Sequence, residues 1–175
     1  MGTFAASLAF ASGAQATTAR AVSLQDLVRR STRVARATAL DSFARSEDIG
    51  GARHIVTYSR MRIDDSIHGA SGDAETLVRT LGGRVGDLGE IVHGEAELAL
   101  NETSLVFLTV DTDGVELVTA MAQGHYPVAI DDAGVPRLRL SRNLPHLVGG
   151  ATSAAAQLTG KSFTEARAMI LGVRR

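Results

Sequence analysis

The chain has 175 residues, 45% hydrophobic and 21% charged, which is enough apolar material for one packed core and is not a disorder-like composition over most of its length. Eighteen basic residues against nineteen acidic leave a net charge of -1, so no global positive field draws in a phosphate backbone or an anionic lipid, and nucleic acid is not an expected partner. Cysteine is absent, which excludes a disulfide framework, a thiolate nucleophile and a zinc site built on sulfur.

Residues 1–21, "MGTFAASLAFASGAQATTARA", carry no charge before Arg20 and are rich in small residues. They resemble the end of a secretory signal. Ala14–Ala16 and Ala19–Ala21 each supply the small residues that a signal peptidase reads, although a basic n-region is missing and "ASLAFA" is a weak apolar core. The expectation is an exported protein, with an unstructured N-terminus as the alternative. No later apolar run reaches the ~18 residues needed to span a bilayer.

"SLQDLVRRS" places Ser23 three residues before Asp26, with Leu24, Leu27 and Val28 on one stripe, and predicts a short helix. Over residues 33–45 the spacing is ambiguous. Val34, Ala37, Leu40 and Phe43 recur as in a helix, while Val34, Arg36, Thr38 and Leu40 alternate as in a strand. From His54 onward, β-branched and aromatic residues fall in short runs bounded by turn formers. The predicted strands are 54–63, 76–81, 104–110, 115–122, 125–130 and 135–140. "DTDG" and "DDAG" predict two antiparallel hairpins, "LVFLTV" a central strand, and Pro136 an edge strand. The sum is a mainly β fold, a small antiparallel barrel or sandwich over residues 22–142. Residues 143–161 mix Gly, Ala, Ser and Thr without a strong period and read as a flexible connector. A capping box from Ser162 to Glu165 then opens a C-terminal helix over 162–175, with Ala166, Met169, Ile170 and Val173 on one face.

"AAQLTGKS", Ala155 to Ser162, fits the loose form of a phosphate-binding loop. Such a loop needs a preceding strand, a glycine-rich turn and later strands carrying an acidic metal ligand. None of these is predicted, so Lys161 and Ser162 read as connector and helix cap. "LGGRVGDLGEIVHGE" concentrates five glycines without the helix that a dinucleotide site requires. Its glycines instead suit positive φ or close backbone approach in a long loop, where binding surfaces often lie. Arg84, Asp87 and His93 are therefore the candidate ligand contacts.

His93, Glu95 and Glu97 alternate, and in a strand would project from one face, where a cation could sit. No zinc-deaminase or zinc-protease pattern accompanies them, and a solvated polar face is the simpler reading. The catalytic alternative is a metal-dependent or hydrolytic site assembled from His93, Glu95 and His125. No residue is nominated as a nucleophile, and no cofactor or resident metal is implied.

In chain order, "SLQDLVRRS", "HIVTYSRMRIDDSIHG", "LVRTLGGRVGDLGEIVHGEAEL", "NETSLVFL" and "MAQGHYPV" resemble an uncharacterised group of exported bacterial proteins. The shared pattern is Gly-Gly-x-Val-Gly-x-x-Gly, then Gly-Glu before an apolar strand, then Gln-Gly before an aromatic. The resemblance covers roughly residues 22–142 and implies an OB-like closed barrel, remotely similar to netrin-type inhibitor modules. This chain departs from the pattern in its alanine-rich "VARATAL" and in the turn "DDSIHG". The expected function is an exported, non-enzymatic β-barrel module with a binding or structural role in the cell envelope, its partner a protein or peptide.

Overall fold

The computed structural model describes residues 18–69, 73–149 and 152–173. Of the expected leader, residues 1–17 lie outside this range. Strand β1 (Thr18–Arg20) is followed by helix α1 (Leu24–Arg30). The helix starts where the sequence predicts, because the Ser23 hydroxyl oxygen accepts from the Asp26 amide at 3.0 Å. Its buried stripe is Leu24, Leu27 and Val28.

The ambiguous segment is a strand. β2 (Arg33–Ile49) and β3 (Ala52–His68) form a long antiparallel hairpin. Gly50 and Gly51 make its two-residue turn with φ of 62° and 83°, the conformation that matches the right-handed twist of the flanking strands. Register irregularities between Val34 and Ala35, Arg36 and Ala37, and Ala39 and Asp41 bend β2, and such bulges let a sheet curl on itself. β4 (Glu75–Leu81) continues the meander, and the small hairpin of β5 (Gly83–Val85) and β6 (Leu88–Glu90) follows.

β7 (Thr103–Val110) returns to pair with β2, so its central placement holds. β8 (Glu116–Val118) pairs antiparallel with β7 and parallel with β4. Five strands thus form a ring in the order β7, β2, β3, β4, β8. The strand expected over 115–122 stops at Val118. Ala120 and Met121 take left-handed φ of 56° and 57°, and a 3-10 turn over Met121–Gly124 leads to β9 (His125–Ile130). β9 pairs with the first half of β7, and β10 (Pro136–Leu138) pairs with β9 as the edge strand that Pro136 predicts.

Residues 143–161, expected as a flexible connector, instead carry β11 (His146–Val148) and α2 (Ala154–Leu158). β11 pairs in parallel with β1, which lies inside the segment read as a leader. Ala154 and Leu158 are buried in the core. Alanine gives a weak hydrophobic pattern, but its small side chain lets α2 pack closely. The predicted capping box is formed at α3 (Phe163–Gly172), and Ala166 and Ile170 are buried.

Two apolar clusters result. Ala37, Ala39, Met61, Val78, Val106 and Leu108 pack inside the ring with Ala96 and Val118. The second cluster joins the outer side of β2, β7 and β9 to the three helices through Leu27, Phe107, Tyr126, Leu158 and Ile170. Each fully buried large apolar side chain contributes about 1.5–3 kcal/mol, so the helices are integral to the fold. No helix among the described residues is long and apolar enough to cross a membrane.

Candidate functional site

Along β3, alternate side chains face into the ring. Met61 sits in the inner cluster, and two and four residues earlier on the same face come Ser59 and Thr57, where the core turns polar. Thr80 plays the same part on β4, two residues after Val78. Ser59 and Thr80 are buried. Here a cavity of about 250 Å³ opens, floored by these three hydroxyl residues and roofed by the β5–β6 hairpin and residues 91–98.

The glycine-rich segment forms the roof because it can lie flat on the strands. Gly82 donates its amide to the Ile55 carbonyl at 2.7 Å, and the Thr57 hydroxyl donates to the Gly82 carbonyl at 2.8 Å. Glu90 anchors the far strand of the hairpin. One of its carboxylate oxygens accepts from the Ile55 amide at 2.6 Å, and the other meets His54 Nδ1 at 2.8 Å. These contacts hold the Glu90 carboxyl below its ordinary range, with His54 the larger cause.

Glu95 is the buried acid of the site, 9% exposed. Its oxygens accept from the amides of Leu81 and Ala96 at 3.2 and 2.9 Å, and its carboxyl is pushed up by burial against these hydrogen bonds. It also lines a second cavity of about 240 Å³ on the side of Leu117 and Met121, where Arg79 is bound to Glu47 and Asp111 at 3.2 and 2.6 Å.

The sequence-nominated contacts lie elsewhere on the loop. Arg84, Asp87 and His93 are exposed, and none lines the first cavity. Arg84 donates to the Gly86 carbonyl at 2.9 Å. His93, Glu95 and Glu97 do not share one face as they would in a strand, because residues 91–98 form none. Gly94 has φ of 85°, and the Glu95 amide turns back to the Val92 carbonyl at 3.3 Å. Glu95 points inward while His93 and Glu97 stay exposed.

His125 belongs to a different place again. Its Nε2 lies 3.0 Å from Ser104 Oγ and its Nδ1 3.0 Å from Ser141 Oγ, inside the packed core. Burial pushes its pKa down to about 4, with Arg142 a smaller cause, so the ring is neutral at pH 7. Glu95 and His125 therefore face separate partners, and His93 is exposed. Among the described residues no group of three His, Asp or Glu side chains converges as a metal site requires.

The cavity-lining residues that the sequence did not nominate include Thr57, Ser59 and Thr80. Their signal was hydroxyl residues falling in phase with the inward apolar residues Met61 and Val78. No protein-family model matches the chain, and no curated protein matches it.

Proposed function

We propose that this chain is an exported, non-enzymatic binding module on an OB-like barrel, which takes its ligand in the cavity under the β5–β6 hairpin. The ring of five strands closed by one parallel pair supports the barrel reading. The observation that carries the binding reading is the cavity itself, a polar floor of Thr57, Ser59 and Thr80 beneath the Glu95 carboxyl, beside the apolar ring interior. A concave, mostly preformed pocket with a few convergent polar groups is the form that ligand sites take. His125, held neutral between two serines and away from that cavity, favours binding over acid–base chemistry.

The outer face of β2, β3 and β4 supports a partner other than nucleic acid. Arg45, Arg60, Arg62 and Arg79 are each ion-paired with Glu47, Asp41, Asp64 or Asp111, so this face offers a charge-balanced lattice rather than a phosphate track. Export rests on the composition of residues 1–21.

Amide NMR spectra of the labelled protein, titrated with a library of small polar fragments, test the binding reading. Shifts clustered at Thr57, Ser59, Thr80 and Gly83 are expected. Shifts scattered over the surface, or confined to Arg84, Asp87 and His93, would move the site off this cavity. Fractionation of cells expressing the full chain, with mass determination of the mature N-terminus, tests export; full-length protein in the cytosol alone would sink it.

A further inference from the structure

We propose that the ligand of this cavity carries a primary ammonium group on an alkyl stem, with Glu95 as its counter-ion. The inference rests on the binding reading above and adds the chemical class of the ligand.

The charges around the cavity have one sign. Glu90, Glu95 and Glu97 line it, and among the described residues no Lys, Arg or His does. The three acids are not equivalent. Glu90 is bound to His54 and the Ile55 amide, and Glu97 lies 3.7 Å from Arg142 at the half-exposed rim. Glu95 is nine-tenths buried and, among the described residues, has no side-chain partner, only the two backbone amides of Leu81 and Ala96. Each amide occupies one acceptor position of a carboxylate oxygen, and each oxygen keeps another lone pair. Burying an acid without a cation is costly and raises its pKa, and such a group lining a cavity is a candidate point of contact for a ligand cation that would restore the charged form.

An ammonium suits the remaining surroundings. It presents three donors, and beside Glu95 the floor supplies hydroxyl oxygens from Thr57, Ser59 and Thr80 as acceptors. The walls are apolar at Leu81, Ile91, Val92, Ala96 and Leu98, which match the stem rather than the head of an alkylamine. An anion would meet three carboxyl groups and no cation. A guanidinium is a planar fork that needs the free lone pairs of both Glu95 oxygens in one plane, a stricter demand than an ammonium makes beside oxygens that each already accept from a backbone amide. A compact head with freely rotating donors fits the single lone pairs that remain.

The ammonium can belong to a free alkylamine or to a lysine side chain of a peptide. Four probes separate the possibilities in calorimetric and NMR titrations of the full chain: pentylamine, Nα-acetyl-lysine amide, pentanol and pentanoate. Both amines are expected to bind with shifts at Thr57, Ser59 and Thr80, while pentanol and pentanoate bind at least tenfold more weakly. Tighter binding of the lysine derivative identifies a peptide source, and tighter binding of pentylamine a free amine. Glu95→Gln is expected to weaken both amines at least tenfold, and Glu97→Gln less than threefold. Should Glu95→Gln not fold, the discrimination between pentylamine and pentanol decides alone. Equal binding of pentanol, or undiminished amine binding to folded Glu95→Gln, overturns the ammonium while leaving the cavity as a binding site. No response to any of the four probes, in a protein whose cavity amides do respond to other fragments, overturns it as well. If no fragment of any kind perturbs those amides, the binding reading falls with it.

Discussion

A β-carbon placed on Gly83 would lie 2.4 Å from the hydroxyl oxygen of Thr57. The hairpin that roofs the cavity therefore rests on β3 only because residue 83 has no side chain. Its φ of 134° adds backbone strain for any other residue. Gly83→Ala is expected to lower stability by about 2 kcal/mol and to shift the amides of Thr57 and Gly82. Gly86→Ala, at a tip with open space around it, should cost only about 1 kcal/mol. Urea denaturation of both variants checks the difference; equal midpoints would show that β5 does not press on β3.

Glu95 couples the cavity to acidity. Its carboxyl is raised in the folded protein by burial, so the folded state holds that proton more tightly than the unfolded chain does. This contribution to stability is full below the ordinary glutamate range and is lost as pH rises through the raised folded value. Glu95→Gln lacks it. The stability of the native protein relative to this variant should therefore grow as pH falls from 7 toward 4, as read by denaturant midpoints at matched pH. A difference independent of pH would place Glu95 in contact with water.

His125 acts in the opposite direction. Its folded pKa is depressed from 6.5 to about 4, so the unfolded chain takes up the proton first. The associated stability is complete above pH 6.5 and disappears as pH falls to about 4, a loss of about 3 kcal/mol at 1.36 kcal/mol per unit. His125→Gln should flatten the stability curve over that window. An unchanged curve would assign the acid sensitivity to other groups.

The Tyr126 hydroxyl is buried with no hydrogen-bond partner among the described residues, and burial holds its pKa far above the usual phenol range. Its ring meets Phe107 edge-on, with centroids 6.1 Å apart. Tyr126→Phe keeps that packing and removes the unpaired oxygen. A gain of about 1 kcal/mol is expected in chemical denaturation. A loss of similar size would mean that the hydroxyl has a bound water as its partner.

Ile170 tests whether α3 belongs to the folded unit, since it is fully buried against the outer cluster. Ile170→Ala should cost about 3 kcal/mol in a single cooperative transition. A separate early transition, with the main one unmoved, would make α3 an appendage.

The turns were the most legible part of the fold, for a local reason. One side-chain oxygen of Asp111 accepts from the amides of Asp113 and Val115, and Asp131 does the same for Ala133 and Val135. Such turns need nothing from the rest of the chain. The capping box of Ser162 and Glu165 was readable for the same reason. Residues 33–45 were not, because Ala37 and Ala39 suit a helix by propensity and were recruited into a strand by the narrow ring interior. The pair Gly50–Gly51 was an available hairpin signal between β2 and β3 that strand counting from His54 passed over. At the site, the glycine cluster pointed to the loop that roofs the cavity, while Arg84, Asp87 and His93 do not line that cavity. Loop residues Arg84, Asp87 and His93 drew attention by their charge, whereas the cavity floor is made by hydroxyls inside strands, a placement that depends on which face closes inward.

The pairing of β1 with β11 also orders events in time. Thr18 has His146 as its partner, and Val22 is bound to Gln123 through its amide and to Ala154 through its carbonyl. During synthesis the first of these segments leaves the ribosome long before any of the others exist. The hairpin of β2 and β3 can close while Thr18–Arg20 still waits. The N-terminal strand thus waits for its partner until β11 emerges, after β2 to β10 have all left the ribosome and before α2 and α3 follow.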